Sequence, residues 1–205
     1  MEENKSPKKN TKTLVALVGV LLLCCCVLAA VAGAVYFFVL GDDSSDISGE
    51  AKGTENYQEY AGDDFKFKYP QNWMFNEDFL RVYDPSNEDL NSVQFSFNNV
   101  SDVQDDGFNV NDISEGKCDS LNSFVDQIVG GSSDISNTNI TSVEINGIKG
   151  CAVTLDGEQD SKKISGALYF LVNSSKDKLA FITASEEGDS FDTAANIVKT
   201  FEFVE

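Results

Sequence analysis

Cys118 and Cys151 are the only cysteines outside one long apolar stretch, so any sulfur chemistry beyond that stretch rests on them. An even pair in an extracytoplasmic domain suggests one disulfide. The alternative is two separate, partly buried thiols, because a Cα separation is not readable from sequence. A nucleophilic thiol would need a neighbouring base, and the chain contains no histidine. The same absence removes Ser-His-Asp triads, the common zinc enzymes and histidine pH switches.

Oxygen ligands crowd a second segment. Asp102, Asp105, Asp106, Asn109, Asn111 and Asp112 lie within it. Asp102, Gln104, Asp106 and Gly107 follow the start of a calcium loop, where oxygen ligands alternate before a glycine. Ile113 then stands where a bidentate Glu should close the shell. Calcium at Asp102, Asp105 and Asp106 is therefore set against a plainly solvated acidic loop. Asp63-Asp64 and Glu186-Glu187-Gly188-Asp189 read as solvated too, and nothing places two carboxylates across a cleft as a glycosidase requires. Asn99, Asn139 and Asn173 each open an Asn-x-Ser/Thr sequon, usable only in an organism that glycosylates. Phe65, Phe67, Tyr69 and Trp73 offer an aromatic platform, but their strand spacing reads as core packing.

The elements that must hold these groups follow from periodicity. Phe65, Phe67 and Tyr69 alternate with lysines in a strand that Pro70 ends, and Trp73 returns the chain to the core. Further strands are predicted at Phe79–Tyr83 and Val93–Phe97. Asp102 to Gly116 reads as a loop. Asp119 or Ser120 caps a helix carrying Leu121, Phe124, Val125, Ile128 and Val129, which Gly130-Gly131 stops. Asn146-Gly147 turns a hairpin between strands Asn137–Ile145 and Ile148–Leu155. A second hairpin joins Ile164–Val172 to Leu179–Ala184. Ser190 caps a closing helix with Phe191, Ala194, Ala195, Ile197, Val198 and Phe201 on its inner side. Hairpin-linked strands with segregated helices predict an α+β fold with a mainly antiparallel sheet.

Charge divides the chain. Fifteen Lys and Arg against 34 Asp and Glu give a net charge of −19, which argues against nucleic acid as a partner. Residues 13–40 carry no charge. Roughly 20 apolar helical residues span a bilayer, so this run is long enough. Lys5, Lys8, Lys9 and Lys12 precede it; Asp42, Asp43 and Asp46 follow. The positive-inside rule then sets the N-terminus in the cytoplasm. The resulting plan is a basic tail at 1–12, a transmembrane signal anchor at 13–40, a flexible acidic stalk at 41–56 and an extracytoplasmic domain at 57–205.

Local motifs within that domain resemble a known family. FKFKYPQNW at Phe65–Trp73, VEINGIKG at Val143–Gly150, LYFLV at Leu168–Val172, LAFITAS at Leu179–Ser185 and TFEF at Thr200–Phe203 resemble, in order, the PsbP/Mog1-like family. The resemblance implies an α/β/α sandwich around an antiparallel sheet, and it brings no catalytic motif. It implies a non-enzymatic binding or accessory module with a protein or envelope partner. An envelope hydrolase or metal-binding protein using the acidic loop, and a pilin-like structural subunit, are the alternatives. The usual pilin processing site is absent.

Overall fold

The computed structural model describes residues 51, 53–103, 109–131, 135–159, 161–188 and 191–204. The expected span at 13–40, the basic tail, Asp105, Asp106 and Ser190 lie outside them. Among the described residues no helix is long and apolar enough to cross a membrane.

Ten strands and four short helices make up this part. In chain order the strands are β1 (Tyr57–Ala61), β2 (Phe65–Pro70), β3 (Met74–Asn76), β4 (Arg81–Tyr83) and β5 (Ser92–Asn99), then β6 (Ile135–Ile145), β7 (Ile148–Gln159), β8 (Lys162–Asn173), β9 (Lys178–Glu187) and β10 (Glu202–Phe203). Helices α1 (Val100–Val103), α2 (Val110–Ser114) and α3 (Asn122–Gly131) lie between β5 and β6, and α4 (Asp192–Lys199) follows β9. Every strand pairing is antiparallel. A seven-stranded sheet runs in the order β3-β4-β5-β9-β8-β7-β6, and a three-stranded sheet runs β1-β2-β10.

Alternation along the strands assigns the two faces of the large sheet. Phe95, Ala152, Tyr169, Leu171, Ile182 and their neighbours on one face join a single core with Phe65 and Phe67 of β2 and with Ala194, Ile197 and Val198 of α4. The small sheet and α4 thus cover that face together. On the other face α2 packs on β7 and β8, and Phe124 of α3 meets Phe170 edge-on, with ring centroids 5.7 Å apart. The expected mixed architecture with antiparallel sheets is observed. One face, however, is shared between a helix and a second sheet.

Several boundaries differ from expectation, each for a local reason. Only Arg81–Tyr83 of the expected strand at 79–83 is extended. Leu80 adopts φ 46°, a left-handed backbone that breaks the strand and leaves Phe79 exposed. The segment read as a loop from Asp102 contains α2, whose Val110 and Ile113 are buried. Gly130-Gly131 does not stop the helix, which continues through both. The closing helix ends at Lys199, so Phe201 is buried beyond it rather than on it, next to β10. Its N-cap position is Phe191, which supplies no side-chain cap.

The eight residues of α4 are too few to be stable alone. Distant groups satisfy both ends. The Glu186 carboxylate accepts from the N–H groups of Thr193 (2.9 Å) and Ala194 (3.1 Å). At the other end the Asn146 side-chain amide donates to the carbonyls of Lys199 and Phe201 at 3.0 and 2.9 Å. Asn146 and Gly147 form the expected hairpin turn with φ of 49° and 80°. The residues that reverse β6 into β7 therefore also close the C-terminus of α4.

Phe67 lies fully buried between the two sheets, its ring 4.4 Å from that of Phe95. Phe67→Ala is expected to cost about 3–5 kcal/mol in urea unfolding. Phe79→Ala, at an exposed ring, should stay within about 0.5 kcal/mol of the parent.

Candidate functional site

The sulfur pair occupies the face covered by α2 and α3. Cys118 sits just before a 3-10 turn at Asp119–Leu121, and Cys151 is fully buried on β7. Their sulfurs are bonded, with Cα atoms 5.6 Å apart. The bond pins the α2–α3 connection to the sheet. A loop of the 33-residue separation it closes is worth about 3–4 kcal/mol in the chain-entropy account. Two glycines nearby sit at close contacts. A Cβ on Gly150 would stand 2.1 Å from the Phe170 carbonyl oxygen of the next strand, and one on Gly116 would stand 2.5 Å from Ser142 Oγ. Gly116 also takes φ 75°.

Only part of the acidic segment is described. Asp102 lies in α1 and accepts from the Asn99 side-chain amide at 2.8 Å. Asn109 caps α2 by accepting from the Asp112 N–H at 3.3 Å, and its own amide donates back to the Asp112 carboxylate. Both carboxylates are engaged by the side-chain amides of neighbouring asparagines. Asp105 and Asp106 lie outside the described residues, and among the described residues no three His, Cys, Asp or Glu side chains gather as a metal would require.

The sequon asparagines fall at separate places. Asn99 and Asn173 end β5 and β8, and both register against Lys178 of the intervening β9. Asn173 accepts from the Ser175 hydroxyl of its own sequon at 2.7 Å. Asn139 is exposed in the middle of β6. Phe65, Phe67 and Trp73 are buried and Tyr69 half-buried, so the aromatic set packs the core.

An open cleft of ≈ 680 Å³ lies beside Asn173. Lys66 and Glu202, paired at 2.8 Å, line it with Asn146, Ile148, Asn173 and Phe203. Its polar groups already have protein partners: the Asn146 amide closes α4, and the Lys66 ammonium is held above its usual range by the hydrogen bond and charge of Glu202.

The Glu186-Glu187 pair departs most from its sequence reading, because neither carboxylate is simply solvated. Burial raises the pKa of Glu186 above its ordinary 4.5, outweighing its hydrogen bonds from the start of α4. Burial, and after it the charge of the same carboxylate, pushes up the Tyr57 hydroxyl. Glu187 is held below its usual range, chiefly by its hydrogen bond from Lys162. It also accepts from the Asn87 side-chain amide, while its N–H donates to Asn91 Oδ1 at 2.7 Å. Partial burial pushes Asp84 upward, but hydrogen bonds from Ser86 and Asn91 leave it net lowered. The turn from Asp84 to Asn91 is thereby latched onto the end of β9. No sequence signal pointed there, because Ser190 read as the cap of the closing helix and the Glu186-Glu187 pair read as solvated.

No family model matches the chain, and no curated protein matches it in sequence. Among solved structures it is similar to the solution structure of cyanobacterial PsbP (CyanoP) from Synechocystis sp. PCC 6803. That similarity has a TM-score of 0.44 and 16% identity and covers 77% of this chain and 98% of that chain.

A carboxyl group with a raised folded-state pKa favours the fold while protonated, and that contribution fades as pH rises from 4.5 through the folded value. Glu186→Gln retains an oxygen acceptor for Thr193 and Ala194 without the buried charge. The variant should match the parent below the ordinary Glu value and exceed it in stability at neutral pH. Urea midpoints across that range will read the difference.

Proposed function

We propose that this chain is a single-pass membrane protein that presents a PsbP-like, non-enzymatic binding or accessory domain outside the cytoplasm. The disulfide between Cys118 and Cys151 carries the reading. Such bonds persist in oxidising compartments and are rare where thiols are kept reduced. The uncharged run at 13–40, basic before and acidic after, supplies a means of export and a matching orientation. The ordered motifs at Phe65–Trp73, Val143–Gly150 and Leu168–Ser185 supply the family likeness; they occupy β2 with its turn, the β6–β7 hairpin and the β8–β9 pair. The proposed partner is a protein or another envelope component, recognised by an acidic, histidine-free surface. The absence of histidine favours binding over acid–base or zinc chemistry.

The test is topology in the native cell. Alkaline carbonate should leave the chain in the membrane fraction. Protease added to intact, wall-stripped cells should remove the domain beyond about residue 56 and spare the basic tail. A chain released by carbonate, or a domain protected until the membrane is broken, contradicts the reading.

A further inference from the structure

The long uncharged runs within β5, β8 and β9 belong to interior strands, each hydrogen-bonded on both sides. Strand β6 carries a run of the same kind, from Ile135 to Val143, yet lies at the end of the large sheet with β7 as its one neighbour among the described strands. Sheet edges are usually guarded by shortness, lysine, proline or a bulge. The opposite edge, β3, has only three residues. Strand β6 has 11, with no lysine or proline, and its one irregularity lies near its start, between Ile135 and Asn137. From Asn137 to Ile145 it is in unbroken register with β7 and rich in strand-favouring Thr, Ile and Val.

We propose that β6 pairs antiparallel with β6 of a second copy of this chain, about a two-fold axis near Ile140, joining two seven-stranded sheets into one. Charge selects a second copy as the occupant. A basic partner would find its complement across the acidic surface of a chain of net charge −19, not on this neutral strip. Two copies, by contrast, repel one another except where charge is missing. The proposed register sets Glu144 opposite Ser136, so the two Glu144 positions stand eight residues, roughly 26 Å, apart. An antiparallel pair of identical strands also closes on itself, leaving neither long edge open. Backbone pairing fixes register without burying a large apolar area, so the association is concentration-dependent. The proposal stands independently of the membrane anchor.

The experiment uses the full chain in mild detergent, with sedimentation velocity over a concentration series and hydrogen exchange across β6. Near the axis the two copies of residue 140 face each other, and like charges there oppose pairing. The parent should shift towards twice the chain mass as concentration rises, while exchange slows in Asn137–Ile145. Ile140→Glu and Ile140→Lys should each weaken dimerisation about tenfold or more, the latter serving if the former does not fold. An equimolar mixture of the two should recover it. An intact Cys118–Cys151 bond in each variant reports folding. A parent that stays monomeric, a dimer indifferent to both substitutions, or a mixture with no recovery overturns the proposal. So does native crosslinking that joins β6 to a different protein.

Discussion

Rings packed between two sheets set the terms for the rest of this domain. Phe65 and Phe67 of β2 lie against Phe95 and Phe97 of β5, with the closest centroids 4.4 Å apart. Phe201 completes the group about 6 Å from Phe65, Phe95 and Phe97. Buried aromatic pairs of this kind add to the area they remove from water. A seven-stranded sheet needs cover on both faces, and α4 alone is too short to cover one. The small sheet supplies the remainder, and Phe201 brings the end of the chain into the same layer. Thr200 continues the seam: its hydroxyl accepts from the Lys68 N–H at 2.7 Å.

The polar devices around this layer are mainly structural. Glu186 and Asn146 come from opposite ends of the large sheet and close opposite ends of α4. Glu187, Asn87, Asn91 and Asp84 latch a long turn. Cys118 and Cys151 tie the other face down. The open cleft beside Lys66 and Glu202 is lined by groups of the same kind, since the Asn146 amide and the Lys66–Glu202 pair are already engaged.

Sequence patterning specified the long elements well. The alternation in β2, β5 and β9, the Asn146-Gly147 turn and the apolar stripe of α4 are local signals, and local physics is enough to read them. What escaped depends on distant partners. Strand β10 is two residues held against Phe65 and Lys66, and β1 and β3 gain their identity from the strands beside them. Helix α2 lies in an Asn- and Asp-rich stretch where two apolar residues, Val110 and Ile113, decide the outcome. The duties of Glu186 and Asn146 were hidden for the same reason: each is a capping group only because α4 arrives from elsewhere in the chain. The sulfur pair was visible as a possibility, whereas its closeness is a long-range contact between the α2–α3 connection and β7 that no local pattern encodes.

The redox state of Cys118 and Cys151 reports most directly on the compartment in which this domain resides. The measurement is thiol trapping on native material: free thiols are blocked with one reagent, the protein is reduced, and the released thiols are labelled with a second before peptide mass spectrometry. The account predicts that the peptides holding Cys118 and Cys151 carry the second label and appear joined before reduction. Both peptides carrying the first label, in protein trapped directly in its native cells, would contradict it.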